Sequence, residues 1–174
     1  MPHIYIGVGS NIDPRNHVAA ALDRLAEQFG ELQLSPVYES EAIGFEGAPF
    51  LNMVVGLSTE QPLGDLLKRL REIERDNGYR GGGAKFSART LDLDLLTYGG
   101  CCGLIDGVEL PRGDITAYAY VLWPLADMAG SDLHPALGVS FQALRRRFAE
   151  RQSLRPVSFV WRGRDLSASV LGSR

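Results

Sequence analysis

Two stretches of this chain repeat their apolar side chains at intervals of three and four, and runs with strand character lie on either side of each. Val18, Ala21, Leu22, Leu25 and Phe29 form one apolar stripe along a helix, and Gly30 stops it. Leu63, Leu66, Leu67, Leu70 and Ile73 form the second stripe, which opens after Pro62 and closes at Asn77-Gly78. Ahead of the first helix, residues 4–8 are a β-branched strand closed by Gly9-Ser10-Asn11, and Asp13-Pro14 supplies a cap followed by the proline that suits a first turn. Residues 32–38 and 50–57 read as two more strands, separated by a loop that carries Gly44, Gly47 and Pro49. Residues 90–98 alternate as a fourth. The order βαββαβ predicts an α+β, ferredoxin-like (split-βαβ) core, an antiparallel sheet with helices packed on it.

Beyond that core the sequence predicts a C-terminal extension: a Gly-rich turn at 99–107, an apolar stretch at 120–128 broken by Pro124, a helix over 141–151 and an edge strand over 157–161. Residues 1–166 are expected to form one domain and residues 167–174 a flexible tail. A chain of 174 residues buries roughly 70% of its unfolded surface, so its core needs no staples. Cys101 and Cys102 are adjacent, a spacing that suits neither an ordinary disulfide nor a chelating site, and they point to a reducing compartment. With 18 Lys and Arg against 21 Asp and Glu, the net charge of −3 provides no basic field for nucleic acid or anionic lipid. A βαββαβ sheet can also serve as an RNA platform, but the charge and the lack of an aromatic-rich RNA-binding run argue against it. No apolar run approaches about 18 residues, and the N-terminus lacks the features of a signal peptide. The expectation is a cytoplasmic monomer or weak dimer whose partners are small molecules.

The chemistry is concentrated at Asp92 and Asp94. Two apart on a strand, they project from one face while Leu91, Leu93 and Leu95 face the core. Like charges this close need neutralising, and hard oxygens on one face are what Mg²⁺ takes when it bridges phosphates. On the pair alone, an exposed strand face with ordinary alternation is the stronger reading. The preceding loop changes the balance towards phosphate chemistry, because it holds Gly81-Gly82-Gly83 with Arg80, Lys85 and Arg89. His3, His17 and His134 have no metal-like spacing, and Gly7-Val8-Gly9 is a weak dinucleotide signal because Ile12 stands where a third glycine is needed.

Arg89-Thr90-Leu91-Asp92-Leu93-Asp94 resembles the signature of the 6-hydroxymethyl-7,8-dihydropterin pyrophosphokinase family, which moves the terminal pyrophosphate of ATP onto a pterin hydroxymethyl group in folate synthesis. Agreement extends to Gly9-Ser10-Asn11, to residues 38–52 with Gly44 and Phe50-Leu51-Asn52, to Ile73-Glu74 and to Leu122-Trp123-Pro124-Leu125. The resemblance implies ATP as co-substrate, two Mg²⁺ ions held by Asp92 and Asp94, and Arg89 at the transferred phosphates. It implies a pterin sandwiched between Phe50 and Tyr120, with its polar edge met by Ser40, Asn52 and the backbone near Ile43. It implies Glu74, Arg89 and Leu95 at the ATP site, to which Arg80, Lys85, Phe86 and Arg112 are expected to add. Tyr79, Gly81, Arg112 and Tyr118 stand where the family places arginines and a histidine, and Phe86 stands for its loop tryptophan. Arg80, Lys85 and Arg112 are candidates to compensate. The alternative is a diverged pterin-binding paralogue with little or altered activity.

Overall fold

Alternation and β-branching after Pro2 produce β1 (His3–Ser10), which is buried along most of its length because helices cover both faces of the sheet it joins. A computed structural model of the chain describes residues 1–42, 44, 46–78 and 89–172. Helix α1 (Pro14–Phe29) follows, then β2 (Gln33–Leu34), β3 (Val37–Ser40), β4 (Phe50–Ser58), α2 (Leu63–Asp76) and β5 (Asp92–Tyr98). The extension adds the hairpin of β6 (Gly103–Ile105) and β7 (Val108–Leu110), then α3 (Asp114–Ala117), α4 (Ala119–Ala129), α5 (Phe141–Arg147) and β8 (Leu154–Val157). A second small hairpin, β9 (Val160–Trp161) and β10 (Arg164–Asp165), and the short helix α6 (Ala168–Leu171) close the described chain. The main sheet is antiparallel in the order β5-β1-β4-β3-β8, with β2 also paired to β4. This is the mixed helix and antiparallel-sheet architecture expected from the periodicity.

Two apolar layers hold the sheet. On one face Ile4, Ile6, Val8, Met53, Val55, Leu93 and Leu95 meet the stripes of α1 and α2, where Leu22, Leu25, Leu66, Leu70 and Ile73 are fully buried. Each such side chain contributes about 1.5–3 kcal/mol. On the other face Tyr5, Val54 and Leu96 meet Ile115, Leu122, Leu125 and Phe141 from α3, α4 and α5. Hydroxyl-carboxylate pairs tie this second layer down: Tyr5 donates to Asp132, Tyr38 donates to Asp127, and Asp127 also accepts from Arg145 at 2.6 Å.

The structure differs from the periodicity reading at particular residues. The strand expected over 32–38 is two strands, because Pro36 has no N–H for the ladder. There the Ser35 hydroxyl accepts from the Val54 N–H at 2.8 Å, and three residues oppose two in a bulge. Helix α4 runs through Pro124, whose ring costs one ladder bond while Leu122 and Leu125 pack against the sheet. Helix α5 stops at Arg147 because Phe148 is extended. The edge strand is β8, three residues earlier than expected, and Val160–Trp161 pairs instead with β10. Ser167, expected to open the tail, is fully buried; its hydroxyl accepts from the Val37 N–H at 2.9 Å, and α6 follows. Among the described residues no helix is long and apolar enough to cross a membrane.

Candidate functional site

Cross-strand register assembles the site. Asp92 on β5 lies opposite Gly9 on β1, Gly9 opposite Asn52 on β4, and Asn52 opposite Tyr38 on β3. Residues directly opposed in antiparallel pairs share a face. Asp94, Gly7 and Val54 make the next row, and Ser40 lies opposite Phe50 in the row on the other side. Acidic edge, polar centre and aromatic end therefore project from the face that also carries α3, α4 and α5. Gly7 and Gly9 form the floor between them. A Cβ on Gly9 would lie 3.3 Å from Asn52 Oδ1, so the glycine leaves the amide its place. The Gly7-Val8-Gly9 spacing is thus a strand device, and no dinucleotide turn is involved.

The two carboxylates are about one-third exposed, 34% for Asp92 and 35% for Asp94. Burial, then the neighbouring Asp94 charge, pushes the Asp92 carboxyl up to about 7, against the pull of Arg89. Burial raises Asp94 as well, opposed chiefly by Arg112. Arg89 Nε lies 3.5 Å from Asp92 Oδ1, and its side chain is only 11% exposed. Arg112 Nη2 lies 3.8 Å from Asp94 Oδ1, while its Nε donates to Asp114 at 3.1 Å. Among the described residues no group of three or more His, Cys, Asp or Glu is arranged to hold a metal alone. Two carboxylates on one face, each with a raised pKa, fit Mg²⁺ that takes its remaining oxygens from phosphate and water.

Behind the pair, α2 supplies what the open edge of β5 lacks. Glu74, 1% exposed, accepts the Leu93 N–H at 2.8 Å and pairs with Arg71, whose Nη2 donates to the Leu93 carbonyl at 3.2 Å. The two side chains satisfy both backbone groups of Leu93 as a neighbouring strand would, and Leu93 lies between the aspartates. Desolvation raises the Glu74 carboxyl, while the Leu93 N–H and Arg71 favour its charged form. Arg71 was missed in the sequence. Its only signal there is its position three before Glu74 on one helix face.

On the polar wall, Asn52 Nδ2 donates to Ser40 Oγ at 2.8 Å, and both residues are buried. Asn11 ties the neighbouring loops together: its Oδ1 accepts the Arg89 N–H at 2.7 Å, its N–H reaches the Arg89 carbonyl at 3.0 Å, and its Nδ2 reaches the Ala48 carbonyl at 3.1 Å. Tyr120 is half-buried and within the fields of Asp114 and Asp94; burial, then those charges, pushes its phenol up, so it stays protonated. The structure thus gathers Asp92, Asp94, Arg89, Arg112, Ser40, Phe50, Asn52 and Tyr120, and places Glu74 behind them. Leu95 does not join them; it is packed in the opposite layer under α1 and α2. Ile43, Arg80, Lys85 and Phe86 lie outside the described residues, as do Tyr79 and Gly81.

The model of the 7,8-dihydro-6-hydroxymethylpterin-pyrophosphokinase family matches residues 5–130. A 2-amino-4-hydroxy-6-hydroxymethyldihydropteridine pyrophosphokinase of Pseudomonas aeruginosa is 38% identical over 131 residues, 72% of this chain and 80% of that protein. The Aquifex aeolicus protein of the same name is 28% identical over 159 residues, 90% of this chain and 96% of its own length. Among solved structures, Plasmodium falciparum HPPK-DHPS with pteroate superposes with a TM-score of 0.71 at 12% identity, a likeness of fold alone. That match covers 94% of this chain, which spans about half (49%) of the Plasmodium chain.

Proposed function

Because the chain belongs to the 7,8-dihydro-6-hydroxymethylpterin-pyrophosphokinase family, we propose that it transfers the terminal pyrophosphate of ATP to the hydroxymethyl group of 6-hydroxymethyl-7,8-dihydropterin. The products are AMP and the pterin pyrophosphate used in folate synthesis. The observation that carries the reading is the shared face of Asp92, Asp94, Asn52 and Ser40 across the Gly7 and Gly9 floor. Nothing among the described residues or the relatives favours the diverged-paralogue alternative.

In this reading the pterin hydroxyl gives up its proton to water as its oxygen forms a bond to the β-phosphorus, the bond to the α-β bridging oxygen breaks, and AMP leaves. The chain supplies position and charge. Asn52, held by Ser40, presents its amide oxygen to the donor edge of the pterin, and burial of that pair rejects rings that cannot bond it. Phe50 and Tyr120 supply stacking faces. Asp92 and Asp94 would hold two Mg²⁺ ions, which neutralise phosphate charge when bound. Arg89 and Arg112 stand beside those carboxylates, where guanidinium forks meet phosphate oxygens. Arg80, Lys85 and Phe86 complete the nucleotide site in this proposal, with Ile43 at the pterin edge. We read the protein as a cytoplasmic monomer or weak dimer acting on small molecules; its free thiols suit a reducing compartment.

Purified protein given ATP, Mg²⁺ and the pterin should release AMP only when the pterin is present. Asp92→Asn and Asp94→Asn should each lower the rate by about a hundredfold or more. Release of AMP without pterin would point to nucleotide hydrolysis, and full rates in both variants would remove the assigned site.

A further inference from the structure

Side chains two residues apart on a helix point roughly 200° from each other and do not meet. Tyr118 and Tyr120 do meet, with ring centroids 5.0 Å apart and planes inclined by 22°. The junction between α3 and α4 permits this, because Tyr118 is extended there, at φ −128° and ψ 126°. The junction is held from both helices and from a distant segment. The Tyr118 N–H donates to the Asp114 carbonyl at 3.0 Å, and the Tyr118 carbonyl accepts the Val121 and Leu122 N–H groups, each at 3.1 Å. Gln152 reaches back to bracket it: Oε1 accepts the Ala119 N–H at 2.8 Å and Nε2 donates to the Ala117 carbonyl at 3.1 Å. One side-chain amide therefore satisfies the backbone on both sides of Tyr118.

Tyr118 also lines a cavity of about 460 Å³ formed with Leu122, Leu144, Arg147 and Phe148. Losing its ring would enlarge that space and give Tyr120 room to turn. What Tyr118 brings to Tyr120 is a stacked ring, a geometric contribution. A ring already fixed in its bound pose does not have to be ordered when substrate arrives.

We infer that Tyr118 and Gln152 are positioning residues for the substrate ring: Gln152 fixes the junction, the junction sets the Tyr118 ring, and Tyr118 backs the ring of Tyr120. The inference rests on the proposal that Tyr120 is one wall of the pterin slot. Gln152 lies beyond the stretch of chain that matches the family.

The test is steady-state turnover at saturating ATP. Tyr118→Leu and Gln152→Ala should each raise the KM for the pterin by about three- to tenfold, the range expected for loss of one aromatic pair, while kcat changes little. Tyr118→Phe, which keeps the ring, should return KM to within about twofold of the parent. In a Tyr120→Leu background there is no ring left to position, so neither change should raise KM further. Additive effects in that background would overturn the inference and assign Tyr118 and Gln152 a general structural role. A Tyr120→Leu effect with unchanged KM in Tyr118→Leu would also overturn it. Tyr120→Leu without any effect on pterin KM would instead remove the pterin-slot reading. Should Tyr118→Leu fail to fold, Gln152→Ala alone carries the cycle, since among the described residues its amide hydrogen-bonds to main chain on either side of Tyr118 and to the exposed Glu150.

Discussion

Neutralising Asp92 should stabilise the ligand-free protein at neutral pH and do almost nothing at acidic pH. The carboxyl is pushed from 3.8 up to about 7 by burial and by Asp94. A raised carboxylate pKa means that, as pH climbs from 3.8, the unfolded chain ionises first and draws the equilibrium towards itself. The penalty grows until the folded carboxyl also ionises near 7 and stays constant above it. The gap between 3.8 and about 7 corresponds to about 4 kcal/mol at 1.36 kcal/mol for each tenfold change in proton affinity. The side chain is 34% exposed and Arg89 lies 3.5 Å away, so solvent screening reduces this to about 1–2 kcal/mol. For a chain of this size each kcal/mol moves Tm by about 2–4 °C, giving about 2–8 °C in all. Scanning calorimetry of Asp92→Asn and the parent in chelator-containing buffer at pH 4 and pH 8 reads this directly. Equal Tm values at pH 8, or the same difference at both pH values, would refute the electrostatic reasoning.

Gly9→Ala should raise pterin KM by about tenfold or more while costing under about 1 kcal/mol in urea unfolding, because the added Cβ presses on Asn52 Oδ1 at 3.3 Å. Arg71→Ala should cost about 1–3 kcal/mol in the same assay, since it strips Glu74 and the Leu93 carbonyl of a partner; its penalty should shrink when Glu74→Gln is added, leaving only the loss at the Leu93 carbonyl. Leu70→Ala, at a fully buried position under the sheet, should cost about 2–5 kcal/mol with no change in substrate KM.

Legibility in the sequence followed the range of the interaction. The stripes of α1 and α2 and the alternation at Asp92 and Asp94 are local patterns, so element order and the acidic edge could be read directly. The pairing of Asp92 with Gly9 and Asn52 is a matter of register between strands far apart in sequence, and only the resemblance brought those residues together in advance. The bulge at Ser35 and Pro36 depends on a hydroxyl reaching Val54, which no period reveals. Pro124 suggested a break because its local cost was visible and the packing of Leu122 and Leu125 was not. Arg71 and Gln152 act on backbone groups of other segments, and neither residue type nor spacing marks such a role. Leu95 shows the reverse limit: alternation puts it opposite Asp94, and the structure keeps it in the core.

The central claim is that two phosphoryl groups move to the pterin as one unit. Mass spectrometry and ³¹P NMR of a complete reaction with ATP, Mg²⁺ and 6-hydroxymethyl-7,8-dihydropterin test it most directly. The expected result is a pterin carrying a diphosphate, with one AMP formed for each. A monophosphorylated pterin with ADP, or a bound pterin that stays unmodified while no AMP forms, would contradict it.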